Sequence, residues 1–414
     1  MKLAIVSLAG EKPSVPAAKG GFADVQSVAL DLPDGNAQLG EAAALPRACE
    51  AGADWMIVLR PGEALAADAL ELVSPGLGLY DAIFGAAHVA GADDAVARLS
   101  RLAFDEPERL PHALLNWWMP ETHFVRTEVA AAVLERIGKG GGDRRLDYLF
   151  DIWDNARCLK SAQPLLETSG QPQPLNEKAK EDVVRRLDES PVFLPIVHGE
   201  SVYHLPYTGR NAGIEREQSR GLFFEAMELE ELRKVVKPGA HVVDVGANTG
   251  NHTVFFAGPM KAASVLPFEP LPAAAKALRS AVERNGLANV DLSRLGVGVA
   301  DCEGRMSLHF SGRGGLGATS LMPDPDGEIS VAALDSLVSG PVDLLKIDVE
   351  GMEMGVLAGS RELIRRFRPL IFVEIANRNT TAFMGWVKSA DYRVVRIFTD
   401  KGHANYLLAP GVAA

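Results

Sequence analysis

The chain has 414 residues, enough for two domains that each bury a core. Its 54 Asp and Glu outnumber 42 Lys and Arg, a net charge of −12. This argues against a nucleic-acid partner, whose phosphates call for clustered basic residues. Cys49, Cys158 and Cys302 are scattered and odd in number, so neither a disulfide framework nor a zinc site is expected, only buried thiols in a reducing compartment.

The opening Met1–Leu8 carries one lysine and a short apolar run, and reads as a first core strand, not as a signal peptide. No apolar stretch reaches the length of a membrane span, so a cytoplasmic protein is expected, with homo-oligomerisation left open. An alanine-rich stretch from Glu41 to Ala51 predicts a helix and Asp54–Leu59 a buried strand; Ala66–Val73 predicts a second helix and Ala82–His88 a second strand. This order resembles the GT-A-like, nucleotide-sugar-binding fold of family 2 glycosyltransferases. The resemblance implies a GT-A-like α/β domain over residues 1–168. Where that family places a metal-binding D-x-D, this chain has Leu59-Arg60-Pro61-Gly62-Glu63, and an arginine there repels a divalent cation. The domain is therefore expected to be degenerate. Asp147, Asp151 and Asp154 fit either a surviving acceptor site or a solvated helix face.

Residues 169–200 read as a linker and connecting helix, with Gln171-Pro172-Gln173-Pro174 followed by the charged stretch from Glu177 to Glu189. A hairpin around His198–Tyr207 and a helix over Glu225–Val236 lead into the third region, 201–414.

In that region, His241–Val245 is an apolar β-branched run that breaks into Gly246-Ala247-Asn248-Thr249-Gly250, then Asn251-His252-Thr253 opens a helix. The spacing D-x-G-x-x-x-G fits neither the dinucleotide fingerprint nor a P-loop. Gly246 lets the backbone approach a ligand, and Gly250 opens the helix beneath it. The next strand candidate, Ala263–Phe268, ends at Glu269-Pro270, where one carboxylate can accept two hydrogen bonds from a ribose diol. Together these describe an S-adenosylmethionine pocket. A third run, Val342–Glu353, is a buried strand that ends in acidic residues: Lys346-Ile347-Asp348-Val349-Glu350-Gly351-Met352-Glu353.

With these three motifs, residues 200–410 closely resemble the FkbM family of S-adenosylmethionine-dependent O-methyltransferases. Strands expected near 241–245, 263–268, 289–293, 342–347, 369–375, 391–397 and 404–409 suit a class I, seven-stranded Rossmann-like sheet, so the fold class is α/β with two domains. Ligands then sit at the carboxyl ends of the strands beside the switch point. The resemblance implies S-adenosylmethionine as cofactor, with Asp244, Gly246, Asn248, Gly250, Asn251, Glu269 and Asp301 on the cofactor side. Asn251 fits a helix cap equally, and Asp301 a turn.

A hydroxyl acceptor needs a group that removes its proton, and Lys346, Asp348, Glu350 and His252 are the candidates, with Asp348 or Glu350 preferred. Lys346 and Asp348 share a strand face and can form either an ion pair or a tuned acid–base pair. No metal is assigned. The glycine-rich 312–317 segment reads as an acceptor lid or a surface loop, and Asp335 as a helix brace. The expected function is methyl transfer to a hydroxyl of a small-molecule or glycan acceptor. Residual glycosyl transfer in the first half, or a non-catalytic sugar-binding scaffold, are the alternatives.

Overall fold

A computed structural model describes residues 1–16, 20–30, 40–84, 87–89, 124–138, 144–161, 165–168, 191–218, 221–310, 316, 319–400 and 402–411. The chain divides into two compact units, Met1–Leu222 and Phe223–Ala414.

The first unit contains β1 (Lys2–Ser7), β2 (Asp24–Ala29), a helix over Gly40–Glu50, β3 (Trp55–Leu59), β4 (Glu63–Leu65), β5 (Ala82–Phe84), β6 (Ala87–Val89), β7 (Phe124–Arg126), helices over Thr127–Ile137 and Arg144–Asn155, β8 (Cys158–Lys160), β9 (Leu166–Thr168), β10 (Val192–His198) and β11 (Ser201–Tyr207). A six-stranded sheet runs β2-β1-β3-β7-β5-β8, and β7 is antiparallel to both its neighbours. All five residues of β3 are buried, the signature of a central strand covered on both faces. The predicted strand Ala82–His88 is two strands, because β6 leaves the main sheet and pairs with β9.

The β10–β11 hairpin places Val192, Leu194 and Tyr207 in one core with Val58 and Tyr148. That packing draws residues 201–222 into the first unit, so the division lies at Leu222, not at residue 200. Arg60 is tied down locally: its N–H donates to Glu63 at 2.8 Å and its guanidinium lies 3.7 Å from Glu41. Asp151 pairs with Arg136 at 2.6 Å. The expected linker at 171–189 lies outside the described residues.

The second unit contains β12 (His241–Val245), β13 (Ser264–Phe268), β14 (Val297–Val299), β15 (Gly304–Phe310), β16 (Thr319–Pro323), β17 (Ile329–Ala332), β18 (Leu344–Ile347), β19 (Leu370–Ala376), β20 (Tyr392–Thr399) and β21 (His403–Pro410). The main sheet runs β13-β12-β18-β19-β21-β20. Its first four strands are parallel and β21 is antiparallel to β19 and β20, a Rossmann-like sheet with a terminal hairpin. Val243, Leu345 and Val373 fill its centre under Val356 and Phe383 from the flanking helices.

Six strands stand where seven were expected. The 289–293 stretch contributes a single bridge, Val290 to Val265. Asp291 accepts the Ser293 N–H at 2.9 Å and turns the chain into a short 3-10 helix, Leu292–Arg294, which ends the pairing. A separate four-stranded sheet, β14-β17-β15-β16, follows.

The glycine-rich 312–317 segment lies outside the described residues except for Leu316. Asp335 accepts the N–H groups of Glu362 and Leu363 at 3.0 and 2.8 Å, and so caps the helix Arg361–Phe367 from a distance. Cys158 is buried as expected, whereas Cys49 and Cys302 are exposed. Among the described residues no helix is long and apolar enough to cross a membrane.

Candidate cofactor and active site

Three parallel strands, β13, β12 and β18, end side by side, and the loops that leave them carry most of the residues singled out from sequence. The β12 loop is shaped by its two glycines. Gly246 has φ of +77°, and a Cβ there would fall 1.7 Å from the Asp348 carbonyl oxygen. The loop after β12 thus lies directly against the end of β18 with no room for a side chain. Gly250 has φ of +98° and packs against Leu278, where a Cβ would meet Cδ1 at 2.6 Å. Both glycines are thus demanded by packing, Gly246 against the end of β18 and Gly250 against the helix Pro272–Arg284.

Glu269 closes β13 and is buried. One carboxylate oxygen accepts the Asn248 N–H at 2.7 Å and the other the Leu271 N–H at 2.8 Å. Burial pushes its carboxyl up to about 7, although those two N–H donors pull the other way. Each oxygen keeps a second acceptor site, so the pair fits a vicinal diol. Asn248, at φ of +50°, bends the loop so that its N–H reaches Glu269 and its side chain accepts the Thr249 N–H at 2.8 Å.

Asp244 is fully buried beneath this loop. Thr253 Oγ1 donates to one of its oxygens at 2.6 Å, and Lys346 Nζ lies 3.2 Å from the other. The same ammonium donates to the Gly246 carbonyl at 2.7 Å and stands 3.7 Å from Asp348. Burial alone would lower the Lys346 pKa, but the Asp244 and Asp348 carboxylates outweigh it and hold the ammonium at about 12. Lys346 thereby braces the glycine loop from beneath.

Asn251 and His252 are both buried, and both face a strap formed by Phe223–Glu225. The Asn251 amide makes a reciprocal pair of 3.0 Å bonds with the backbone of Phe224. His252 Nε2 lies 3.0 Å from Glu225, whose other oxygen accepts Asn405 Nδ2 at 2.7 Å. Burial works against the Glu225 charge, but His252, Asn405 and the nearby Lys346 more than offset it and leave its carboxyl below the usual range. Asp301 stands apart, exposed on the β14–β15 turn, with Cys302 Sγ donating to it at 3.4 Å.

Beyond β18 the chain turns through Asp348, Glu350 and Gly351 into the helix Glu353–Ala358. Glu350 has φ of +52°, which a glutamate adopts only under local constraint. Burial, then Asp348 and Glu353, push its carboxyl up to about 7, an effect that water moderates because the residue is solvent-exposed. Glu374 lies on β19 next to this turn, 3.4 Å from His403. Burial and the carboxylates of Asp348 and Glu350 push it up to about 8.

The geometry thus gathers Asp244, Gly246, Asn248, Gly250, Glu269, Lys346, Asp348 and Glu350. It turns Asn251 and His252 toward the strap and leaves Asp301 outside. Glu225 and Asn405 went unnoticed in the sequence, since they meet His252 only through chain separations that no local motif records. The one sequence signal was the helix that begins beside Glu225.

Residues 244–394 match the family model described as the methyltransferase FkbM domain. A curated relative, the 2-O-methyltransferase NoeI of Sinorhizobium fredii (strain NBRC 101917 / NGR234), is 28% identical over 190 residues, covering 39% of this chain and 76% of that protein. Among solved structures, the methyltransferase FkbM from Methylobacillus flagellatus KT is 15% identical, covers 56% of this chain and 60% of that chain, and has a TM-score of 0.31. An rRNA methylase from Streptococcus thermophilus is 16% identical, covers 45% of this chain and 96% of that chain, and also has a TM-score of 0.31. The family match, residues 244–394, falls within the second unit.

Proposed function

We propose that the protein is an S-adenosylmethionine-dependent O-methyltransferase that modifies a hydroxyl of a carbohydrate or glycosylated natural product. The observation that carries this reading is the tight glycine loop at Gly246–Gly250, held against the end of β18, beside a buried carboxylate at Glu269 that accepts the loop's Asn248 N–H. When bound, the cofactor supplies an electrophilic methyl group.

In this reading Glu269 holds the ribose, and the Gly246–Gly250 loop lets the backbone come close to the rest of the ligand. Lys346 and Asp244 fix the loop from below. Asp348 or Glu350 faces the acceptor and takes its hydroxyl proton, and Glu350, raised to about 7, suits that work near neutral pH. The hydroxyl preference draws support from the printed activity of the relative, a 2-O-methyltransferase.

For the first unit we keep the reading of a degenerate GT-A-like domain that helps select the acceptor. Its mixed α/β sheet supports this, as does the enclosure of Arg60 by Glu41 and Glu63 where a metal site would need open carboxylates.

The test is transfer of labelled methyl from S-adenosylmethionine to a panel of mono- and oligosaccharides. Label is expected on a sugar hydroxyl, and Asp348→Asn or Glu350→Gln is expected to cut kcat by roughly 10²–10⁴-fold with the fold kept. Sugar transfer from a nucleotide sugar without any methyl transfer would favour the glycosyltransferase alternative instead.

A further inference from the structure

The carboxyl ends of β18 and β19 hold a surplus of negative charge that the cofactor cradle does not use. Asp348 and Glu350 lie on the turn after β18, Glu353 opens the following helix, and Glu374 lies on the neighbouring strand. The basic side chains nearest to them are Lys346, His403 and Arg378. Lys346 is bound to Asp244 and the Gly246 carbonyl, His403 stands 3.4 Å from Glu374 and 4.0 Å from Asp400, and the Arg378 guanidinium lies over Gly351. Glu225 adds another carboxylate from the strap, itself held by His252 and Asn405.

Glu353 is the informative member. It is 2% exposed, and its Oε1 turns back to accept the Gly351 N–H at 2.7 Å, which aims the carboxylate into the Asp348–Gly351 turn. Its Oε2 is buried with no hydrogen-bond partner among the described residues. An unpaired buried carboxylate oxygen is costly unless a ligand completes it. The turn it points into touches the cofactor loop, since the Asp348 carbonyl lies where a Cβ of Gly246 would be.

We infer that Asp348, Glu350, Glu353 and Glu374 form a cation-reading subsite that favours the positively charged methyl donor over its neutral demethylated product. The inference rests on the S-adenosylmethionine reading above and adds charge discrimination to it. The donor carries a sulfonium and an ammonium against one carboxylate, whereas S-adenosylhomocysteine has lost the sulfonium charge. A carboxylate cluster beside the cofactor loop therefore attracts the donor and is nearly indifferent to the product, which eases product release.

The elevated carboxyls of Glu350 and Glu374 give this a pH signature. Below about pH 6 both are largely protonated and the preference is weak. Above about pH 8.5 they are largely ionised and it is strong. Near pH 7 the arriving cation favours ionisation, so donor binding releases protons and product binding does not.

The test is calorimetric titration of S-adenosylmethionine and S-adenosylhomocysteine into the full chain at about pH 6 and pH 8.5, and near pH 7 in two buffers of different ionisation heat. The donor-to-product affinity ratio is expected to rise roughly tenfold across that range, with net proton release for the donor alone. The surface-exposed Glu350→Gln and the half-buried Glu374→Gln, each checked for folding by circular dichroism, should flatten that rise while product affinity stays within about twofold. Binding of both ligands with a ratio independent of pH would overturn the inference and leave the cofactor reading intact. Failure of both to bind the wild-type protein would overturn the cofactor reading and the inference with it.

Discussion

Two charged corners adjoin at the end of the main sheet, and they are built on opposite rules. At the first, Asp244 and Lys346 are both almost completely buried and neutralise each other across 3.2 Å, with Thr253 and the Gly246 carbonyl as further partners, although Asp244 Oδ1 has that ion pair and no hydrogen bond. At the second, Asp348, Glu350, Glu353 and Glu374 crowd together with one oxygen left unpaired. A matched pair at this depth fixes geometry, because moving either partner strands a charge. A surplus of like charge gives up stability and keeps a place for something that arrives later. The balanced corner shapes the loop, and the unbalanced one is where the proposed reading places the charge of the donor.

The comparison breaks most sharply at Gly246, where the two corners meet. Gly246→Ala puts a Cβ 1.7 Å from the Asp348 carbonyl at a φ of +77°. This must displace the loop, at more than the roughly 1–3 kcal/mol of a strained backbone alone. Cofactor binding is expected to vanish in calorimetry, with a lower Tm. Next in size is Lys346→Met, which leaves Asp244 buried without its partner at a cost of about 3–5 kcal/mol. Chemical denaturation measures it, and the double variant Asp244→Asn/Lys346→Met should recover a substantial part. If the two changes simply add, the corner is not a matched pair.

The smallest effect lies in the surplus corner and has the opposite sign. Because burial and the carboxylates of Asp348 and Glu350 push the Glu374 carboxyl up to about 8 in the folded protein, against about 4 for an unfolded glutamate, the folded state holds the extra proton between those values. Stability contributed by that group is therefore present at low pH and lost as pH rises toward 8. Glu374→Gln should raise Tm by roughly 1–3 °C at about pH 8.5 and leave it nearly unchanged at about pH 4. A lower Tm at the higher pH would mean that Glu374 is compensated after all.

Much of this was legible in the sequence because it is local. Gly246, Gly250 and Glu269 announce themselves by position relative to a strand end, and the parallel order of β12, β13, β18 and β19 follows from apolar runs alternating with helices. What could not be read is long-range. That Lys346 braces a loop 100 residues earlier, and that Glu225 meets both His252 and Asn405, depends on how strands align in the sheet. The missing seventh strand has a local cause of a subtler kind: Asp291 captures the Ser293 N–H, a competition between side chain and ladder that hydropathy does not see. The hairpin expected around His198–Tyr207 begins earlier, with β10 at Val192, and its partner core was invisible until Val192 and Tyr207 were seen beside Val58.

The central claim is that the β12 loop and Glu269 hold S-adenosylmethionine, and the most direct measurement is calorimetric titration of that cofactor into the wild-type protein and Glu269→Ala. The account predicts a saturable wild-type isotherm that weakens by roughly tenfold or more in the variant, the effect of losing charged hydrogen bonds worth about 1–3 kcal/mol. Equal affinity in the two proteins would contradict the placement of the ribose, and no binding to the folded wild-type protein would contradict the claim itself.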